Sequence, residues 1–309
     1  MNPLAILECN NIFKSFDISS TFISKSKVKV HALNGVNFYV KRGEIVGIVG
    51  ESGSGKTTLA KIITNIYKPD SGNIYFNKKN IHKDSESYSE YRKNVQMVFQ
   101  DPYSSLNPRL KIISTLKDGI KQYITNNKKE IHEICKSLIK SVGLEEDHLY
   151  RYPHQFSGGQ RQRISIARAL SVDPEVIVAD EPVSALDVSV QAQILNLFKK
   201  LNKEKNKTII LISHDLAVVN FLCHRVYVMY KGFVVEMAET EKLLKNPLHP
   251  YTYQLINSKH LQVDEVKNEN VKSSCPYAER CKKYSAKCDN EIKLIEVGKN
   301  HFVRCAYYE

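Results

Sequence analysis

No stretch of this 309-residue chain stays apolar for anything near the roughly 20 residues that a membrane-spanning helix needs. The longest apolar runs, Ile45–Val49, Val176–Ala179 and Thr208–Ile212, are only strand length. Residues 1–11 carry no basic cluster, and Glu8 interrupts their short apolar stretch, so no secretory leader is expected. Acidic residues are in short supply, 33 against 45 Lys and Arg, which leaves a net charge of +12. Such a surplus suits nucleic acid, phosphate ligands or an anionic membrane face, and a solvated lysine surface gives the same number. Internal repeats are absent. Compositional bias is absent too: 42% hydrophobic and 25% charged residues exclude a disordered or collagen-like chain. The expectation is a cytoplasmic protein, soluble or peripheral, with one large domain or one domain plus a small appendage.

Cysteine is sparse and uneven. Cys9, Cys135 and Cys223 are scattered among apolar neighbours, whereas Cys275, Cys281, Cys288 and Cys305 crowd the last 35 residues. A cytosolic chain rarely keeps structural disulfides, so the late four read first as a metal site. Four thiolates can hold tetrahedral Zn²⁺ or a 4Fe–4S cluster. The spacing Cys275-x5-Cys281-x6-Cys288-x16-Cys305 lacks the Cys-x2-Cys pairs that zinc ribbons favour. Free or oxidised thiols are the remaining reading.

What is present is an alternation of short apolar runs, turns and helical periods. Leu4–Leu7, Val36–Val40, Ile45–Val49 and Asn73–Phe76 read as strands, and polar Asp17–Lys29 as a loop between early strands. Over residues 129–142, Ile131, Ile134, Cys135, Leu138, Ile139 and Val142 fall on one face of a helix, which makes Cys135 a core residue and not a ligand. A second helix is expected over 188–203. The runs at 176–179 and 208–212 do not alternate, as expected of parallel strands covered on both faces. The middle of the chain is therefore α/β. Residues 259–274 are polar and suit a linker.

Gly50-Glu51-Ser52-Gly53-Ser54-Gly55-Lys56-Thr57 fits G-x-x-x-x-G-K-[ST], between a strand-like run and a helix-like run that begins at Thr58. Glycines allow close backbone approach, so that successive N–H groups can surround phosphates at a helix N-terminus. Lys56 can reach the β- and γ-phosphates of a nucleotide, and the Thr57 hydroxyl can bind Mg²⁺. Val176–Ala179 ends in Asp180 and Glu181. Asp180 suits the metal, and Glu181 is placed to orient or deprotonate an attacking water.

Phe156-Ser157-Gly158-Gly159-Gln160 precedes an expected helix, Arg161–Leu170. It supplies a second anion-binding helix end, which one site does not need but a head-to-tail dimer does. Asp187 follows the Asp-Glu strand, and His214 stands at the end of the strand 208–212, where an imidazole can contact a γ-phosphate.

In this order the motifs resemble the nucleotide-binding subunits of ATP-binding-cassette transporters, over residues 4 to about 258. The resemblance implies a P-loop NTPase (ABC ATPase) fold, with an antiparallel β-subdomain, a helical signature subdomain at about 101–170 and a small cysteine-rich C-terminal extension. It implies a boundary that puts the nucleotide-binding domain in 1–258 and a linker plus extension in 259–309. Catalytic roles are implied for Glu181, His214 and Gln100. ATP contacts are implied for Gly50 through Thr58 (Gly50, Glu51, Ser52, Gly53, Ser54, Gly55, Lys56, Thr57 and Thr58), for Gln100 and Asp180, and for Phe16 as the adenine-stacking aromatic. Across the dimer, Ser157, Gly158, Gly159, Gln160 and Asp187 are implied to meet the partner's nucleotide. Mg²⁺ falls to Thr57, Gln100 and Asp180.

Residues 101–109, 156–163, 179–193 and 247–252 resemble the oligopeptide and dipeptide permease branch, and its F-type ATPase subunit in particular. That implies import of peptides, with nickel or metallophore import in the same branch as the alternative and a soluble non-transport ABC ATPase as a more distant one. A second cassette, a coiled-coil insert and an aromatic-interleaved basic stretch are all missing, so no nucleic-acid partner is expected. The implied partners are a D-type ATPase subunit, two transmembrane permeases and an extracytoplasmic peptide-binding protein, at the cytoplasmic face of the membrane. For Cys275, Cys281, Cys288 and Cys305 the resemblance implies a 4Fe–4S cluster, with Zn²⁺ as the alternative.

Overall fold

A computed structural model describes residues 4–19, 27–83, 85–257 and 273–309. Its strands are β1 (Ala5–Ser19), β2 (Lys27–Lys41), β3 (Ile45–Val49), β4 (Ser71–Phe76), β5 (Lys79–Asn80), β6 (Val95–Val98), β7 (Val176–Asp180), β8 (Thr208–Ile212), β9 (Arg225–Tyr230), β10 (Phe233–Glu239), β11 (Ile295–Gly298) and β12 (His301–Val303). Its α-helices are α1 (Lys56–Ile63), α2 (Ser85–Asn94), α3 (Pro102–Ser105), α4 (Ile112–Tyr123), α5 (Lys128–Ser141), α6 (Gly158–Leu170), α7 (Val188–Lys205), α8 (Leu216–Leu222), α9 (Thr240–Lys245) and α10 (Pro250–Asn257).

The apolar runs without alternation form the centre of an eight-stranded sheet, ordered β11-β12-β10-β9-β3-β8-β7-β6. From β6 to β9 its neighbours pair in parallel. β3, β7 and β8 are buried at every position because both faces are covered. Ile45, Val49, Ile177, Ala179, Ile209 and Leu211 pack in one core with residues of α4–α8. Val46, Ile48, Val176, Val178, Ile210 and Ile212 pack in another, with α1 and the antiparallel sheet β2-β1-β4-β5. Each fully buried Ile or Val contributes about 2 kcal/mol of apolar burial.

Between β6 and β7 the chain is helical. The periodicity that marks α5 buries Ile131, Cys135 and Ile139, and Asn127 caps the helix by accepting from Lys129 N and Glu130 N. Cys135 is fully buried, as its place on an apolar helical face implies. The polar stretch 17–29 is partly strand instead of loop: β1 and β2 continue their ladder to the pair Ser19–Lys27. Antiparallel backbone pairing needs no apolar pattern, which is why composition gave no sign of it. Residues 20–26 of the expected loop, residue 258, and 259–272 of the expected linker lie outside the described residues.

Two expectations for the C-terminal region are corrected. The first is a distinct cysteine-rich extension. β12 pairs with β10 through Glu236–Val303 and Met237–Phe302, and β11 pairs with β12, so this segment is the edge of the main sheet. The second is the 4Fe–4S or Zn²⁺ site. Among the described residues, no group of three or more His, Cys, Asp or Glu side chains is arranged to hold a metal ion. Cys281 packs into the main core, Cys288 joins a small cluster with Ile292 and Ala306, and Cys275 packs against both. Burial pushes the Cys275 thiol up to about 11 and raises those of Cys281 and Cys305. Cys281, Cys288 and Cys305 are buried and pack as small hydrophobes.

Candidate functional site

Four parallel strands, β3, β8, β7 and β6, deliver their carboxyl ends to one edge of the sheet, where α/β folds bind ligands. β3 runs into the glycine-rich loop, β7 into Asp180-Glu181, β8 into Ser213-His214, and β6 into Gln100 two residues beyond its end. The cleft there has a volume of about 850 Å³, and its lining includes Gly53, Lys56, Thr57, Gln100, Glu181 and His214.

The loop's glycines are dictated by its path. Gly50 has φ +151°, and a Cβ there would lie 2.2 Å from the carbonyl of Met229. Gly55, the N-cap of α1, has φ +102° and would place a Cβ 2.5 Å from the carbonyl of Ala32. No side chain caps α1, so its first N–H groups face the cleft without an acceptor from their own cap. The Lys56 ammonium donates to the carbonyls of Gly50 and Glu51, each at 2.8 Å. Burial lowers its pKa, while Glu181, Asp180 and Glu51 oppose that shift. The third donor reaches the Ser54 hydroxyl only at 3.5 Å, so the two short bonds aim Lys56 and its third hydrogen is weakly held beside the cleft.

The Thr57 hydroxyl donates to Oδ1 of Asp180 at 3.3 Å. Asp180 is buried, and burial raises its pKa. A buried carboxylate beside a hydroxyl at the mouth of a phosphate loop is an oxygen donor set that suits a hard divalent cation, which would relieve the desolvation of Asp180. Glu181 follows with φ +44°, a left-handed conformation for a residue with a side chain, fixed by its N–H donating to Ile212 O at 3.0 Å. Gln100 Nε2 donates to its Oε2 at 3.2 Å, and His214 Nδ1 lies 3.2 Å from its Oε1.

The other residues expected at the site fall elsewhere. Ser157 is the N-cap of α6, with a reciprocal capping box: its Oγ accepts from Gln160 N at 3.3 Å, and Gln160 Oε1 accepts from Ser157 N at 3.0 Å. Gly159 is packed so tightly that a Cβ would lie 2.4 Å from Val190 Cγ1. Asp187 is the N-cap of α7 without a side-chain bond to it. None of Ser157–Gln160 or Asp187 lines the cleft. Phe16 meets Tyr67 edge-on at 5.6 Å, and its β-ladder partner Val30 lines the cleft instead. Val30, His31 and Ala32, brought there by the pairing of β2, and Lys231, in the turn between β9 and β10, are not legible as site residues in the sequence. A second cleft, of about 520 Å³, opens beside Phe99, Asn107, Leu110, Gln122 and Arg168.

Residues 33–184 match the family described as ABC transporter, and residues 235–288 match the oligopeptide/dipeptide transporter C-terminal region. The oligopeptide transport ATP-binding protein AppF of Bacillus subtilis is 43% identical over 99% of this chain and 98% of its own. The oligopeptide transport ATP-binding protein OppF of Streptococcus pyogenes is 42% identical over 93% and 92%. The dipeptide transport ATP-binding protein DppF of Haemophilus influenzae is 40% identical over 98% and 97%. Among solved structures, the dimeric ATP-binding cassette MJ0796 bound to ADP and Pi superposes with a TM-score of 0.67 at 32% identity, covering 76% of this chain and 98% of that one.

Proposed function

This chain belongs to the ABC-transporter family of ATP-binding, ATP-hydrolysing subunits, and on that premise we propose that it is the F-type ATPase subunit that powers an importer of oligopeptides or dipeptides. One observation carries the peptide reading: a cassette and a peptide-transporter C-terminal region match in the same chain.

Lys56 binds the β- and γ-phosphates, with the loop N–H groups and the N-terminus of α1 around them. Glu181 accepts the proton of the attacking water, while Gln100 and His214 hold its two oxygens and so fix the direction of its lone pairs. Thr57 and Asp180, with Gln100, would hold Mg²⁺, which would supply neutralisation of phosphate charge when bound. Phe16 and the adjacent β2 edge take the adenine.

Ser157–Gln160 and Asp187 lie outside the chain's own cleft, which supports a head-to-tail dimer where they meet a partner's nucleotide. The partner is a D-type ATPase subunit. The cleft beside Phe99 and Leu110, next to Gln100, takes the cytoplasmic segments of two permeases. A peptide-binding protein outside the membrane completes the importer. No helix among the described residues is long and apolar enough to cross a membrane, which agrees with a peripheral subunit at the cytoplasmic face. Residues 1–258 form the nucleotide-binding unit, and the β11–β12 segment completes its sheet.

Uptake of a labelled tetrapeptide and of nickel ions in cells carrying Glu181→Gln tests the reading. Peptide uptake is expected to fall to background with nickel uptake unchanged. Loss of nickel uptake with intact peptide uptake overturns it.

A further inference from the structure

Glu51 is held by four residues, two of them from the far end of the chain. Its C=O accepts from Lys56 Nζ at 2.8 Å and from Ser54 N at 3.2 Å. Its N–H donates to the Tyr251 hydroxyl at 2.8 Å. Its carboxylate accepts from Arg280 Nη1, at 3.0 Å to Oε2 and 3.4 Å to Oε1. Arg280 is in turn hydrogen-bonded to Tyr230.

These anchors rest on a rigid base. Tyr251 is fully buried, with its ring 4.5 Å from Tyr230 and 5.5 Å from Tyr277; Tyr277 is buried as well. The short helical turn Ala278–Arg280 begins at Tyr277, so the aromatic packing fixes where Arg280 can reach. Lys231, which lines the cleft, is paired with Glu279 of the same turn at 2.9 Å. The segment 277–280 thus touches both the phosphate loop and the rim of its cleft.

We propose that Arg280 is a positioning residue of the ATP site: through Glu51 it holds the first peptide of the phosphate loop, and with it the carbonyl that aims Lys56. The inference rests on the reading of this loop as the ATP site. Glu51 therefore acts as the connector between the loop and the C-terminal region, which is a working part of the nucleotide site. No sequence spacing suggests this, since residues 51 and 280 are 229 positions apart.

Both ends of the ion pair are partly exposed, with side-chain exposures of 30% and 43%, so its contribution is modest. Arg280→Gln is expected to raise KM for ATP about threefold to tenfold, the equivalent of a weak ion pair, while kcat stays within about twofold. Arg280→Lys retains a charge without the planar fork and should fall between. The charge exchange Glu51→Arg with Arg280→Glu should recover most of the KM that either single substitution loses.

The measurement is ATP hydrolysis by the assembled transporter, with direct ATP binding to Lys56→Ala alongside. Arg280→Gln with an unchanged KM, where Lys56→Ala has lost ATP binding, overturns the positioning role alone. A fall in kcat at constant KM reports lost folded protein and also overturns it. Independent, additive effects of the two single substitutions in the exchange do the same. Retained ATP binding in Lys56→Ala overturns both this inference and the site on which it rests.

Discussion

His214 Nδ1 lies 3.2 Å from Oε1 of Glu181. The other oxygen of that carboxylate accepts from Gln100 Nε2, also at 3.2 Å. Side chains that leave three different strands, β6, β7 and β8, thus meet on one carboxylate at the mouth of the phosphate loop. The arrangement keeps Glu181 pointed at the cleft despite the left-handed backbone from which it projects.

Glu181→Gln should preserve this geometry, because an amide can still meet both neighbours, and should remove the proton acceptor. Hydrolysis is expected to fall by at least about a hundredfold while ATP affinity stays within a few-fold. Single-turnover hydrolysis and equilibrium binding of ATP measure the two separately. Parental turnover would exclude Glu181 as the base.

His214→Ala frees one oxygen of Glu181 and leaves Gln100 on the other. The proposed role predicts a loss of turnover with little change in nucleotide affinity. Since His214 is largely solvent-exposed, the thermal midpoint should hardly move. A large drop in melting temperature with full turnover would make the residue structural.

Ser157→Arg removes the capping box of α6, a cost of about 1 kcal/mol, and places bulk on a helix end that does not line the chain's own cleft. ATP held by the partner subunit should be hydrolysed more slowly, and ATP in this chain's own loop should bind normally. Crosslinking of labelled ATP, followed by separation of the two subunits, reads this out. A defect confined to the mutant chain's own site would refute the head-to-tail arrangement.

Cys281→Ser exchanges a buried thiol in the main core for a hydroxyl with a higher desolvation cost, so unfolding stability should fall by roughly 1–2 kcal/mol. A denaturant titration checks the size of the loss. The iron and zinc content of anaerobically purified parent and variant should be equally negligible, since among the described residues no group is arranged to hold a metal ion. Stoichiometric iron or zinc in the parent would reinstate a metal role.

Acid should loosen the region behind the phosphate loop through His249. Burial lowers this imidazole from 6.5 to about 4; nearby Arg304 adds to the shift, and Glu236 opposes it. The neutral ring is required because Nδ1 accepts from Tyr251 N at 3.1 Å. A depressed pKa of this kind gives stability that is complete above pH 6.5 and is lost as pH falls through 4, with a ceiling of roughly 3 kcal/mol. His249→Gln keeps an acceptor but cannot titrate, so its unfolding free energy should be flatter across that window. Identical slopes for parent and variant would remove His249 from the acid response.

The strands and helices that carry the site were legible because local pattern encodes them. Non-alternating runs marked β3, β7 and β8, and a helical period marked α5. The glycine-lysine-threonine spacing marked a phosphate loop because only glycine fits where Gly50 and Gly55 pass beneath the carbonyls of Met229 and Ala32. Family resemblance linked Gln100 and His214 to Glu181. Tertiary structure alone decided which side chains from distant positions touch. Strand order, not spacing, carries Val30 to the cleft, and core packing brings Arg280 against Glu51. It also decided against a metal in the C-terminal region. The spacing of Cys275, Cys281, Cys288 and Cys305 fixes how many ligands are available but not where they point, and among the described residues no such group is arranged to hold a metal ion. Sequence determines elements through local periodicity, whereas contacts across 200 residues depend on how those elements pack.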